Sequence, residues 1–123
     1  SSEEKKAYIL LKSVIFYYHG LDDDEKKILE NTADELDAHQ ELKWAYEFIS
    51  QNEADAFTRA RVFLKEIMLP LDKPQRLKYL RNVWDANLVK GYISEMEAMA
   101  MINLSKDWDV ERELIISIKS IKS

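Results

Sequence analysis

Only four of the 123 residues are glycine or proline, and this shortage constrains the fold more than any other feature of the sequence. An all-β protein needs many such residues for its tight turns. Apolar residues instead recur every three or four positions along nearly the whole chain, which is the spacing of one face of an α-helix. The sequence therefore predicts an all-α fold, a single domain of about seven short helices.

Capping residues and the few glycines and prolines predict where the helices begin and end. The first helix is expected from about Glu4 to Tyr18, and it should be central because apolar residues lie on most of its sides. Gly20 is expected to end this helix and Gly91 the fifth, since glycine adopts the left-handed conformation that closes helices. The other six helices are expected to begin near Asp22, Asp37, Asn52, Pro74, Ser94, and Asp107 or Asp109.

Three of these starting points have the spacing of a capping box. In this motif a polar side chain accepts a hydrogen bond from the backbone three residues later, and the acidic or amide residue there bonds back. Asp22–Glu25 and Ser94–Glu97 fit it fully, and Asp37–Gln40 has the same spacing. Capping alone can explain the acidic run that begins at Asp22.

Two segments of the chain resemble each other. Each has an apolar helix, a glycine (Gly20 or Gly91), and then a capping residue with a glutamate three positions later. Beyond the glycines the register is 72 residues, which places Glu25 over Glu97. The pattern favours an internal duplication, and the alternative is that any two helices joined in this way look alike. The predicted half-repeats are residues 4–68 and 73–121.

The same segments resemble a known family signature. A long apolar helix that ends in glycine, then an apolar residue and a capped helix with glutamate, is similar to the signature of the tellurite-resistance TerB-like domains, which are all-helical and bacterial. Residues 90–97 (Lys-Gly-Tyr-Ile-Ser-Glu-Met-Glu) match it more closely than residues 19–25. The resemblance implies a non-enzymatic bacterial module that binds another protein, in a stress- or metal-response setting.

The resemblance also implies an alternative function, the binding of a divalent cation. Family members usually carry an aspartate before the glycine, but this chain has His19 and Lys90 there, and a lysine ammonium repels a cation. Of the family positions, only the two glutamates carry over, and the acidic run beside the first could add oxygen ligands. The residues predicted for this alternative are Glu25, Glu97, Asp22, Asp23 and Asp24.

The sequence lacks the motifs of catalytic and cofactor sites. It has no cysteine, no glycine-rich phosphate loop, no Gly-x-Ser-x-Gly and no His-Glu-x-x-His. The only histidines are His19 and His39, and His39 could meet Glu35 one helical turn away. Two such ligands do not make a metal site. We therefore expect neither an enzyme nor a bound cofactor.

Charge and apolar runs narrow the kind of partner. The net charge of −5 argues against nucleic acid, and the longest apolar run, 7–18, is shorter than the ~20 residues of a membrane span. Cytoplasmic location is expected. Residues 20–41 hold nine acids and two lysines, whereas residues 53–81 hold seven bases and four acids. This asymmetry suggests either solvated helix faces or a surface that attracts an oppositely charged protein, including a second copy.

Aromatic and methionine residues are the remaining candidates. Three Trp, six Tyr and four Phe are many for a small domain, and any that the core leaves exposed would mark a contact surface. Met96, Met99 and Met101 lie close together on the sixth predicted helix. The simplest interpretation is that all three fill the core.

Overall fold

The computed structural model describes residues 2–17, 22–89 and 91–122, with side chains as far as residue 119. Within these ranges all regular structure is helical, so the predicted all-α class and the number of helices are confirmed. A short 3-10 turn, Glu53–Asp55, precedes the fourth helix. The helices are α1 Ser2–Phe16, α2 Asp23–Leu36, α3 His39–Ser50, α4 Ala56–Met68, α5 Lys73–Val89, α6 Glu95–Asp107 and α7 Glu111–Lys122.

The chain divides into two compact units. Unit 1 is Ser1–Ile67 and unit 2 is Met68–Ser123. The division lies close to the predicted junction of the two half-repeats, 4–68 and 73–121. The single domain and the duplication themselves stay predictions.

In unit 1, α1 forms the centre, as its apolar residues on all sides predict. Nine consecutive or near-consecutive positions between Ala7 and Phe16 are buried, and α1, α2 and α3 each contact the other two. The fourth helix packs on α3 through Phe63, whose ring lies 5.2 Å from that of Trp44 and 6.2 Å from that of Phe48. The α-helical hydrogen bonding of α1 ends at Phe16 rather than at Tyr18. The predicted stop at Gly20 lies outside the described residues.

In unit 2, α5, α6 and α7 likewise contact one another. The guanidinium of Arg76 fixes the chain where α4 ends and α5 begins. Its Nε donates to the carbonyls of Met68 and Leu71, at 3.0 and 2.9 Å, and its Nη2 donates to that of Leu69 at 2.6 Å. Its Nη1 donates to the carbonyl of Trp108 at 2.9 Å. The buried apolar core consists of Met68, Leu80, Val83, Ala100, Met101, Leu104, Trp108, Val110 and Leu114.

The helices of the two units follow one register. Both α6 and α7 begin 72 residues after α2 and α3, since 95 − 23 and 111 − 39 are both 72. For α5 and α1 the offset is 71, because the connection after Gly91 is one residue longer. At this offset the buried residues Leu80, Val83 and Asn87 of α5 match three buried positions of α1. The sequence register found between the glycines therefore holds for helix positions and burial.

The connection from α2 to α3 differs from its prediction. Asp37 was expected to cap α3 together with Gln40, but it follows α2 in the left-handed conformation, with φ of 52°. The N–H of Ala38 donates to the carbonyl of Ala33 at 2.8 Å, which closes α2 as in a Schellman motif. Ala38 then precedes α3 without any side-chain cap. The prediction was wrong because an aspartate suits this left-handed position as well as it suits a cap.

The connection from α6 to α7 repeats this geometry. Asp109 is left-handed, with φ of 56°, and the N–H of Val110 donates to the carbonyl of Ser105 at 2.9 Å. Val110 then accepts the first helical bond of α7, from the N–H of Leu114 at 2.9 Å. Neither Asp107 nor Asp109 caps α7, so that prediction was also wrong, and for the same reason.

Two other predicted helix starts lie close to their observed positions. Asn52 accepts a hydrogen bond from the N–H of Ala54 at 3.1 Å, and it thereby caps the 3-10 turn rather than α4 itself. Pro74 lies in the first turn of α5 as predicted, where its missing N–H is not needed. The cap there is Asp72, which accepts from the N–H of Gln75 at 3.0 Å.

Candidate functional site

The predicted acidic site in unit 1 is a helix cap. Asp22 accepts a hydrogen bond from the N–H of Glu25 at 2.8 Å, and Glu25 Oε1 accepts from the N–H of Asp22 at 3.3 Å. Asp23 and Asp24 are exposed in the first turn of α2, where the positive end of the helix favours carboxylates. Glu25, in contrast, is buried.

The matching site in unit 2 is also a helix cap. Glu97 Oε1 accepts from the N–H and the hydroxyl of Ser94, at 3.1 and 2.8 Å, and the Ser94 hydroxyl oxygen accepts from the N–H of Glu97. Gly91 has a φ of 108°, and its N–H donates to the carbonyl of Leu88 at 3.0 Å. Glycine, Ser94 and Glu97 together turn the chain from α5 into α6, which is the structural role predicted for the first two.

The residues predicted for cation binding do not form a cluster within either unit. Glu25 lies in unit 1 with Asp22, Asp23 and Asp24, whereas Glu97 lies in unit 2. In the ranges that the structure describes, no group of three or more Asp, Glu or His side chains is arranged to hold a metal ion. The geometry of both glutamates is explained by capping.

Much of the positive charge of residues 53–81 is used inside each unit. In unit 1, Arg59 donates to Asp55 Oδ1 at 2.6 Å and to the carbonyl of Phe48 at 2.9 Å. In unit 2, Arg76 binds carbonyls, and Arg81 donates to the Ser117 hydroxyl and to Asp85, both at 2.9 Å. The basic segment is therefore a weaker electrostatic surface than its composition suggests.

A polar groove of about 380 Å3 lies between α2 and α3 in unit 1. His39 Nε2 is 2.6 Å from Asp34 Oδ1, so the histidine meets Asp34 rather than the predicted Glu35. Burial, assisted by the negative charge of Glu30, raises the pKa of Tyr46 in the same groove. Its lining consists of Glu30, Asp34, His39, Leu42, Lys43 and Tyr46.

A buried lysine distinguishes the core of unit 1. Lys12 Nζ donates to Thr32 Oγ1 at 2.7 Å and lies 5.5 Å from the centre of the Tyr8 ring. Burial lowers the pKa of Lys12, and the nearby carboxylate of Glu35 opposes that shift. The matching positions in unit 2 are Val83 (offset 71) and Leu104 (offset 72), both fully buried. The shared helical arrangement therefore does not require this polar pair.

Exposed apolar side chains are concentrated where α5 leads into α6. Four residues there form what we call the methionine face: Val89, Tyr92, Met96 and Met99. Each is between 51% and 81% exposed, although all four are large and apolar or aromatic. Met96 and Met99 are three residues apart and so share one side of α6.

The methionine face corrects the expectation that the methionines of α6 fill the core. Met101 is buried as expected, but Met96 and Met99 point to solvent. At the 72-residue register the matching residues of α2 are Asp24 and Lys27, which are exposed charges. The register itself could have revealed this surface, because it aligns methionines with positions that unit 1 leaves polar.

Comparison with known proteins adds no relative. No family model, no curated protein and no solved structure matches the chain. Among the described residues, every helix is too short or too polar to cross a bilayer. The fold and the site define an all-α protein whose principal surface feature is an exposed apolar face, and the kinship with TerB-like domains stays a prediction.

Proposed function

We propose that this protein is an interaction module that binds another protein through the methionine face. The single observation that carries the proposal is the contrast between Met96 and Met99 and their counterparts Asp24 and Lys27. The same helical position is charged in one unit and apolar in the other. Because the fold tolerates charge at this position, solvent-exposed methionines need another explanation, and contact with a partner supplies one.

The chemistry of this face indicates an apolar partner segment. Methionine is flexible and polarisable, and exposed methionines suit surfaces that adapt to the side chains of a partner. Tyr92 adds an aromatic ring with a polar end, a residue type that is common at protein interfaces. We expect the apolar side of a helix or an extended apolar segment to bind here, and burial of four large side chains would supply most of the affinity.

A variant that gives α6 the residues of α2 tests this proposal. Met96→Asp with Met99→Lys should leave the free energy of unfolding within about 0.5 kcal/mol of the wild type, because both positions are exposed. The matched control is Val62→Asp, which changes an exposed apolar residue of α4 outside the face. Proteins crosslinked to the wild type in cells should be lost with the double variant and kept with the control.

Two results would contradict the proposal. A loss of more than about 2 kcal/mol in the double variant would mean that the methionines stabilise the fold. Crosslinked proteins that are the same for the wild type and the double variant would mean that the face binds nothing.

The setting of this interaction follows from the resemblance and is part of the same proposal. We place the module in the bacterial cytoplasm, in a stress or metal response, and without enzymatic activity of its own. The chemical support is limited to the residues that carry the family signature, from Lys90 to Glu97. The methionine face lies partly within this signature, which ties the proposed surface to the segment that suggested the family.

A further inference from the structure

In unit 1 a fourth helix covers one side of the three-helix core. Phe63 of α4 packs against Trp44 of α3, with ring centres 5.2 Å apart. The start of α4 also faces the end of α1, since Tyr17 and Phe57 line a common cavity of about 180 Å3. Tyr17 completes the contact by donating its hydroxyl to Glu53 Oε1 at 2.7 Å.

In unit 2 the matching side is exposed. Ile116 of α7 is the counterpart of Trp44 and is 57% exposed, and Leu88 of α5 is the counterpart of Tyr17 and is 48% exposed. Among the described residues, no side chain covers these two as Phe63 covers Trp44. We call the surface formed by Leu88 and Ile116 the uncovered face.

The charges beside the uncovered face have one sign on α7. Arg112 and Lys119 are exposed, and they lie four residues before and three residues after Ile116, so all three share one side of the helix. On α5 the nearest charge is compensated, because Asp85 accepts a hydrogen bond from Arg81 at 2.9 Å. The uncovered face is therefore apolar with a positive border.

We propose that the uncovered face binds an acidic amphipathic helix of another protein, which would cover unit 2 as α4 covers unit 1. The position of α4 shows that this arrangement of three helices accepts a fourth, with an aromatic anchor against the Trp44 position. The positive border calls for carboxylates beside that anchor. This site is separate from the methionine face and does not depend on it.

A designed peptide tests the proposal directly. The acidic probe is a fluorescent peptide with the sequence of residues 52–68 in which Arg59, Arg61 and Lys65 are replaced by glutamate. The neutral probe is the same peptide unchanged, with three acids and three bases. In fluorescence anisotropy with the full chain, the acidic probe should bind about tenfold more tightly than the neutral one, and added salt should weaken it.

Three variants assign the binding to the uncovered face. Ile116→Glu should weaken the acidic probe at least about tenfold, and Arg112→Glu with Lys119→Glu should reverse its preference over the neutral probe. The Met96→Asp, Met99→Lys protein is the control and should bind both probes as the wild type does. Ile116→Gln, with circular dichroism of every variant, separates lost binding from lost folding.

Several outcomes would overturn the proposal. Neither probe saturating below about 1 mM would mean that no helix binds there. Equal binding to the wild type and to Ile116→Glu would place the site elsewhere. Sedimentation that showed the chain itself pairing through Ile116 would make a second copy the occupant instead of another protein. If only the methionine-face experiment fails, this inference stands, and the reverse also holds.

Discussion

The buried ammonium of Lys12 allows a quantitative test of the energetics of unit 1. Its Nζ donates to Thr32 Oγ1 at 2.7 Å, and only 6% of the residue is exposed. The Thr32 hydroxyl in turn donates to the carbonyl of Ile28 at 2.9 Å. Thr32 thus accepts from the lysine and donates to the backbone, so removing its hydroxyl takes an acceptor from a buried charge.

The expected energies differ for the two partners. Thr32→Val keeps the shape but leaves the ammonium without this acceptor, which should lower the free energy of unfolding by about 1–3 kcal/mol. Lys12→Met removes the buried charge and keeps most of the apolar stem, so it should be neutral or stabilise by about 1–2 kcal/mol. In the Lys12→Met background, Thr32→Val should cost less than about 0.5 kcal/mol. The coupling energy between the two positions is then about 1–3 kcal/mol.

Urea unfolding of the wild type, the two single variants and the double variant at pH 7 measures this coupling. Lys43→Met is the matched control, because Lys43 is an exposed lysine of the same unit and should change stability by less than about 0.5 kcal/mol. The reasoning is refuted if Thr32→Val costs the same with and without the Lys12→Met change. It is also refuted if Lys12→Met alone destabilises by more than about 1 kcal/mol.

Three further predictions concern the fold, and a fourth concerns cations. Stability to urea should rise with pH towards about 10, because the lowered pKa of Lys12 lets the folded state lose a proton that the unfolded lysine holds until about 10.5, and Lys12→Met should abolish this rise. Stability should fall above pH 10 in both proteins, because burial raises the pKa values of Tyr8 and Tyr46 above 10.0 and the unfolded state ionises them first. Arg76→Lys should lower the free energy of unfolding by about 2 kcal/mol, since an ammonium cannot reproduce the fork that binds four carbonyls, and a loss below about 0.5 kcal/mol would contradict this. Asp37→Val should cost about 1–2 kcal/mol and Asp37→Gly far less, because φ is 52°, so equal losses would count against the left-handed turn. Calorimetric titration with calcium, magnesium and zinc should show no site tighter than about 0.1 mM, and a micromolar site would favour the cation-binding alternative.

The sequence predicted those parts of the fold that depend on local chemistry. The capping boxes at Asp22 and Ser94 are present because a short side chain and a glutamate three residues later meet whenever a helix starts there. The central position of α1 followed from its apolar residues on all sides. The wrong helix starts at Asp37 and Asp109 share one cause, since aspartate is favoured both before a helix and in a left-handed turn after one.

The candidate site was harder to predict, because apolar spacing does not separate a buried face from an exposed one. Met96, Met99 and Met101 all fit a core helix, and only packing shows that Met101 alone is buried. Similarly, no local signal shows that Arg76 and Arg81 bind groups of their own unit rather than a partner. These bonds join residues 32 and 36 positions apart, beyond the reach of any sequence window.

Comparison of the two units separates what the helical arrangement requires from what it merely permits. Features present in both, such as the capping glutamates and the left-handed aspartates, serve the backbone turns that every such unit must make. Features present in one alone cannot be requirements of the shared arrangement. The pair Lys12 and Thr32 in unit 1 and the methionine face in unit 2 are of this second kind. Since an exposed apolar face and a buried charge each carry a free-energy cost that the other unit avoids, these are the places where a function specific to this chain is expected.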